Sequence, residues 1–96
     1  MVWYLRVEWV HSFSEEPVEI YSEVGDDGYE VRKIELFRDG HLQYADERHE
    51  AAGTSLSETP VGTVAEIAAD EEFRPRTITG QEFEEIWARA VATRDG

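Results

Sequence analysis

The chain has no cysteine and a single lysine, Lys33, among its 96 residues. Without thiols no disulfide and no thiolate zinc site can form, and nothing points to the oxidising compartments in which disulfides persist. Positive charge is scarce throughout: nine basic residues stand against 22 acidic ones, net −13. Residues 1–48 hold 12 acids and five bases and residues 49–96 hold 10 and four, so neither half is a basic arm. Nucleic-acid binding is driven by neutralising phosphates, and no direct nucleic-acid partner is expected. Long apolar runs are also missing. No stretch approaches the ~20 residues of a membrane span, and Met1-Val2-Trp3-Tyr4-Leu5-Arg6 lacks the basic start and long apolar run of a signal peptide. The expected setting is the cytoplasm, with no membrane partner.

What is present is patterned. The apolar residues keep strand and helix periods, which marks a folded acidic domain rather than a disordered acidic tail. Val2 to Val10 alternates, with Trp3, Leu5, Val7 and Trp9 on one face and Tyr4, Arg6 and Glu8 on the other. Residues 11–17 form a connection closed by Pro17, which suits a strand entrance. Pro17 to Val24 alternates again, Val18, Ile20, Ser22 and Val24 against Glu19, Tyr21 and Glu23. Gly25-Asp26-Asp27-Gly28 is a turn.

Tyr29 to Phe37 is β-prone but out of phase, since Tyr29 and Val31 have one parity and Ile34 and Leu36 the other. A β-bulge at Arg32-Lys33 would restore a continuous apolar face; a strand covered on both faces would need none. Asp39-Gly40 between two such runs predicts a type I′ hairpin turn, with His41 to Ala45 as the returning strand. Asp46 to Thr59 is polar and contains Gly53, with room for one short strand near Ser55-Leu56.

After Pro60 the period becomes 3.6. Val61, Val64, Ile67 and Ala68 predict a short helix ending near Asp70. Thr79 with Glu82 forms a capping box, Ile78 with Phe83 has the spacing of a hydrophobic staple, and Phe83, Ile86, Trp87, Ala90 and Val91 make one apolar stripe. Glu82, Glu84 and Glu85 near the start and Arg89 and Arg94 near the end suit the helix dipole.

The expected fold class is α+β: a four-stranded antiparallel β-meander followed by two α-helices packed on one sheet face, a two-layer sandwich. Residues 1–96 form one domain, with 1–46 the meander, 47–60 a loop and 61–94 the helices. The expected core is Trp3, Leu5, Trp9, Val18, Ile20, Ile34, Leu36, Leu42, Ile67, Phe73, Phe83, Ile86 and Trp87.

The stretches Pro17 to Glu23, Tyr29 to Gly40, Glu66 to Asp70 and Glu82 to Trp87 together resemble a family of small acidic bacterial single-domain proteins of unknown function. The resemblance spans nearly the whole chain and implies a self-contained domain. It implies no activity, cofactor or binding residue.

No motif assigns a catalytic residue, a metal or a cofactor. His11, His41 and His49 lack the helical spacing of a zinc pair, and their convergence is left open. The adjacent acids Glu15-Glu16, Asp26-Asp27, Asp46-Glu47, Glu71-Glu72 and Glu84-Glu85 read as a solvated surface. There is no Gly-x-Ser-x-Gly elbow and no P-loop lysine. The candidate binding residues are aromatic and charged. Tyr4 and Tyr21 fall opposite the core parity among Glu19 and Glu23, a polar–aromatic composition found at protein interfaces. Asp26 and Asp27 offer an acidic turn, and Trp9, His11 and Tyr44 are candidates to line a cleft. Arg32, adjacent to Lys33, is either an ion pair with Glu8, Glu19 or Glu23 or a bidentate receptor for a ligand carboxylate or phosphate.

The leading expectation is a non-enzymatic binding protein that grips a basic protein partner with its acidic face or loops, as an immunity- or antitoxin-type inhibitor would. The alternative is a small-molecule or peptide-binding domain with a pocket between the sheet and the 46–60 loop. An enzyme with an unrecognised site stands third.

Overall fold

The computed structural model describes residues 2–50 and 54–93. Gly53 and Arg94 lie outside the described residues. Five strands and two helices follow one another as β1 (Trp3–Trp9), β2 (Pro17–Val24), β3 (Glu30–Phe37), β4 (Leu42–Ala45), α1 (Val64–Ala68), β5 (Phe73–Ile78) and α2 (Gly80–Thr93). All strand pairs are antiparallel, and the order across the sheet is β4-β3-β2-β1-β5.

The expected four-strand meander is present, and β5 is the correction to it. Phe73 to Ile78 pairs with β1 from Trp9↔Phe73 to Tyr4↔Ile78. Pro75 is tolerated there because β5 is an edge strand, where one ladder donor can be missing. The first helix is correspondingly short, and is held at its start by a Thr63–Glu66 capping box.

The β3–β4 turn differs from a type I′ turn, which needs two left-handed residues. Gly40 has φ of 94° and no non-glycine residue among those described has positive φ. Gly40 N–H donates to Phe37 O (2.9 Å) and Phe37 N–H to His41 O (3.0 Å), closing a three-residue loop, Arg38–Gly40. Of the two alternatives for β3 the bulge is present, one residue earlier than Arg32-Lys33. Glu23 pairs with Arg32 and Val24 with Glu30, so Val31 is the extra residue, and a second shift in β2 leaves Val18 without a direct partner. Arg32 and Lys33 therefore point to opposite faces.

Helix α2 begins at the expected Thr79–Glu82 capping box, Glu82 N–H to Thr79 Oγ1 (3.0 Å) and Thr79 N–H to Glu82 Oε1 (3.3 Å). Its stripe of Phe83, Ile86 and Ala90 is buried on Ile34 and Tyr44, with Tyr4, Tyr21, Leu42, Ile78 and Trp87 around them. Gly80 lets the first turn lie close, since a Cβ there would stand 3.1 Å from the Tyr4 ring. The helix thus covers the tyrosine face of β1 and β2 rather than the Trp3–Leu5–Val7–Trp9 face.

The opposite face is not bare. Leu5, Val7, Val24 and Ala45 are buried on it beside Ser22, Glu35 and Thr54. A strap, residues 54–61, crosses that face. Thr54 Oγ1 bonds to Glu35 and Gln43, Lys33 Nζ reaches Ser55 O (3.3 Å), Ser57 N–H donates to Glu30 (2.8 Å), and Val61 N–H donates to Gly28 O (2.8 Å). Helix α1 packs beside β5. The two-layer expectation becomes a sheet covered by α2 on one side and, along β3, β4 and the β2–β3 turn, by the strap on the other.

Candidate binding site

The strap leaves the Trp9–Phe37 end of its face open. Three connections meet there: the β1–β2 loop (residues 10–16), the β3–β4 turn and the turn before β5. Trp9 Nε1–H donates to Glu72 Oε1 (3.2 Å), and Val10 N–H to Glu72 O (2.8 Å), tying β1 to the third of these. The Arg38 guanidinium donates to the carbonyls of His11 (3.0 Å) and Phe13 (3.5 Å), tying the hairpin turn to the β1–β2 loop. Loops cross-linked by side chains in this way keep their shape without strand pairing.

Aromatic rings line this end. Phe73, Trp9, His11 and Phe13 follow one another with centroids 5.8, 4.2 and 5.4 Å apart. Phe37 and His41 stack at 4.3 Å, 4° from parallel. His11 accepts from Phe13 N–H at Nδ1 (2.9 Å) and bonds Pro17 O through Nε2 (2.7 Å). A carbonyl only accepts and an amide only donates, which puts the His11 proton on Nε2. Both of its nitrogens are occupied, so its ring presents only a face. His41 is held by Asp39 through Nδ1 (2.5 Å) and through its backbone N–H (3.0 Å). The backbone bond from His41, and then the ring bond, hold the Asp39 carboxyl below its usual range.

Beside the Phe37–His41 pair lies a groove of about 660 Å³, bounded by Ser14, Glu15, Glu16, Pro17, Phe37, Arg38, Asp39, His41 and Gln43. It adjoins a hollow of about 470 Å³ lined by Trp9, Phe13 and the same Ser14-Glu15-Glu16 run. Phe13 is 59% exposed, a large apolar side chain left in water at the mouth of the site. Aromatic faces beside carboxylates suit a cation, because the ring quadrupole and the negative charges both attract it. Glu15, Glu16, Asp39, Phe37 and Phe13 were not among the sequence candidates. Their signal was available in the acidic pair and the hairpin aspartate, but only the pairing of Pro17 with Phe37 brings the two loops together.

The sequence candidates fall in four places. Trp9 and His11 belong to this site. Tyr44 is 4% exposed on the α2 face, between the rings of His49 (4.3 Å) and Trp87 (5.0 Å), so it shares no cleft with them. Asp26 and Asp27 occupy the β2–β3 turn at the far end of the sheet, where Asp27 accepts from Tyr29 N–H (3.0 Å). Tyr4, Tyr21, Glu19, Glu23 and Arg32 lie against α2 as two bonded groups. Arg6 holds Glu19 with two bonds (2.6 and 3.3 Å) and Tyr21 donates to Glu19 (2.5 Å). Arg32 holds Glu23 with two bonds (2.6 and 3.1 Å) and Tyr4 donates to Glu23 (3.0 Å).

His49 stands apart from His11 and His41, and among the described residues no group of three or more His, Asp or Glu is placed to hold a metal ion. Of the 46–60 loop, the part from Thr54 onward is held on the sheet by the strap bonds; a hollow of about 410 Å³ lies along Asp46–Glu50 and Leu56. No helix among the described residues is long and apolar enough to cross a membrane.

Fold and site together define a small α+β domain: an open antiparallel five-stranded sheet, one long helix and an acidic, aromatic groove between loops. The chain belongs to the family described as a domain of unknown function (DUF6881), which matches residues 3–92. No curated protein and no solved structure gives a significant match.

Proposed function

We propose that this chain is a non-catalytic, cytoplasmic binding protein that receives a basic segment of a partner protein in the groove between the β1–β2 loop and the β3–β4 turn. One observation carries the reading: the stacked Phe37–His41 pair stands beside the carboxylates of Glu15, Glu16 and Asp39 in one groove, and the exposed Phe13 lines the hollow that shares Glu15 and Glu16 with it. A guanidinium or ammonium entering there meets ring faces and negative charge together. The net charge of −13 adds a long-range attraction for the same kind of partner. An immunity- or antitoxin-type inhibitor, covering a cationic surface of its target, is the most concrete form of this function.

The test is a titration of the protein with an arginine-rich peptide and with an acidic peptide of equal length, followed by tryptophan fluorescence and calorimetry. The basic peptide is expected to saturate, and Glu15→Lys/Glu16→Lys to weaken it by about tenfold or more, as loss of charge-assisted contacts does. Asp26→Lys/Asp27→Lys changes net charge equally at the other end of the sheet and is expected to have less than a threefold effect. Equal weakening by both pairs would reduce the interaction to non-specific charge attraction and reject the groove.

A further inference from the structure

A second groove, on the α2 face, has the opposite character. Arg6 on β1 and Arg76 on β5 are direct cross-strand partners. Neighbours of this kind have Cβ atoms about 4.5–5.5 Å apart, and like charges there are unfavourable. Arg89 on α2 lines the same groove, of about 320 Å³, with Tyr21, Ile78, Ile86 and the carboxylates of Glu82 and Glu85 as further walls. Three of the chain's nine basic residues thus converge in one place, in a protein with 22 acids.

The three are not equivalent. Arg6 is committed to Glu19, at 2.6 and 3.3 Å, and Tyr21 holds the same carboxylate. Among the described residues no carboxylate lies within 4.0 Å of the guanidinium of Arg76 or Arg89. With acids so abundant, a surface selected only for stability would give Arg76 and Arg89 ion pairs of their own. Glu19 offsets the like-charge Arg6–Arg76 register pair from the Arg6 side, with Arg76 nearby. What breaks the local rule is the convergence of Arg76 and Arg89 without an ion pair of their own, and such a departure is where a functional constraint is expected.

We propose that this groove binds a small oxyanion, a carboxylate or phosphate group of a small molecule, between the guanidinium groups of Arg76 and Arg89. Arg6, fixed by Glu19, positions the floor and contributes positive potential. Planar guanidinium forks match either oxyanion with paired N–H donors, and Tyr21 and Ile86 provide an apolar wall for the carbon skeleton of an organic ligand. Glu82 and Glu85, which also line the groove, disfavour highly charged anions and limit the ligand to low charge. This site is separate from the acidic groove by face and by sign, so either can fail without the other.

The experiment follows the Nε–Hε signals of the arginines by NMR in the whole chain. Inorganic phosphate and succinate are titrated in separate arms at constant ionic strength, with chloride as the reference. Saturable shifts confined to Arg6, Arg76 and Arg89 are expected in at least one arm, and the arm that saturates at lower concentration identifies the preferred oxyanion. Arg76→Gln and Arg89→Gln, both on exposed positions, should each weaken binding about tenfold or more. Arg48→Gln, an equal charge change elsewhere, should alter it less than twofold. Shifts that grow linearly and equally in chloride, or that respond as much to Arg48→Gln, overturn the proposal.

Discussion

Arg32 on β3 and Glu84 on α2 are joined by two hydrogen bonds, Nη2 to Oε2 at 2.5 Å and Nη1 to Oε1 at 3.1 Å. The same guanidinium holds Glu23 of β2 through Nε and Nη2, and its Cζ lies 4.9 Å from the ring centres of both Phe83 and Trp87. One side chain therefore ties two strands to the helix, with four of its five N–H donors bonded to Glu23 and Glu84.

Arg32→Met keeps length and apolar contact but leaves Glu23, 9% exposed, with only the Tyr4 hydroxyl. Breaking a pair this buried costs about 2–4 kcal/mol. Glu84 is 54% exposed in its side chain, so Glu84→Gln should cost under about 1 kcal/mol. Urea melts of the two variants measure the difference. Equal losses would mean that Glu23, not only Glu84, is satisfied without Arg32.

Phe83 is fully buried, and its ring contacts Tyr4 at 5.2 Å and Trp87 at 6.2 Å. Phe83→Ala should remove about 3–5 kcal/mol, a large share of a small domain's stability. Trp87 is only partly buried, and Trp87→Ala should cost less than Phe83→Ala. A larger loss at Trp87 in denaturant melts would contradict the packing of α2 described here.

Much of this architecture is written in local pattern. The alternation of β1 to β4, the 3.6 period from Val61 to Ala68 and the Thr79–Glu82 box locate six of the seven elements because each signal is contained within a few residues. β5 was not legible, since Phe73-Arg74-Pro75-Arg76 between two helical patterns reads as a connection, and Pro75 argues against a strand until the edge position is known. The Thr63–Glu66 box was a local signal for α1 that could have been read. Face assignment failed for a different reason. Parity separates Tyr4 from Leu5 but does not say which side receives the helix, and here both sides are covered. Trp9 and His11 were found as candidates from composition, whereas Glu15, Glu16 and Asp39 acquire meaning only when Pro17 and Phe37 pair. The partner of Arg32 on α2 stands 52 residues away, beyond any periodicity.

Acid should weaken the fold through Glu19. Burial raises its carboxyl pKa, but bonds from Arg6 and Tyr21, with Arg76 nearby, outweigh that and hold it below the ordinary range. Glu84 is likewise held down, chiefly by Arg32. Because the folded values lie below the unfolded value of about 4.3, this stabilisation is complete above that pH and is lost as pH falls through the folded values. Thermal midpoints should therefore drop below about pH 4, and Arg6→Met should make the acid-side drop shallower. Parallel curves for the two proteins would remove Glu19 as the source.

Thr54 secures the strap to a carboxylate, Glu35, that is 6% exposed. Thr54→Val keeps the shape and deletes the hydroxyl, at a cost of about 1–3 kcal/mol for the donor lost to Glu35. Because the strap is held mainly by such side-chain bonds, its release should be local. The amides of Ser57 and Val61, bonded to Glu30 and Gly28 O, should exchange faster in the variant. Those within β1 and β2 should change only by the global loss. Uniform acceleration across the chain would show that strap and sheet open as one unit.

The acidic groove makes a kinetic prediction that stability measurements do not reach. Charge steering acts on association, so a basic peptide should bind this chain with an on-rate that falls as salt rises from 50 to 300 mM, roughly the range over which the screening length shrinks below 10 Å. Reversing Asp26 and Asp27 lowers the overall attraction and should slow association modestly without changing dissociation. Reversing Glu15 and Glu16 removes both steering and contact, and should slow association and speed dissociation together, since contact losses appear mainly in the off-rate. Stopped-flow traces read through Trp9 separate the two. A dissociation rate untouched by Glu15→Lys/Glu16→Lys would mean that the bound peptide does not sit between the β1–β2 loop and the β3–β4 turn.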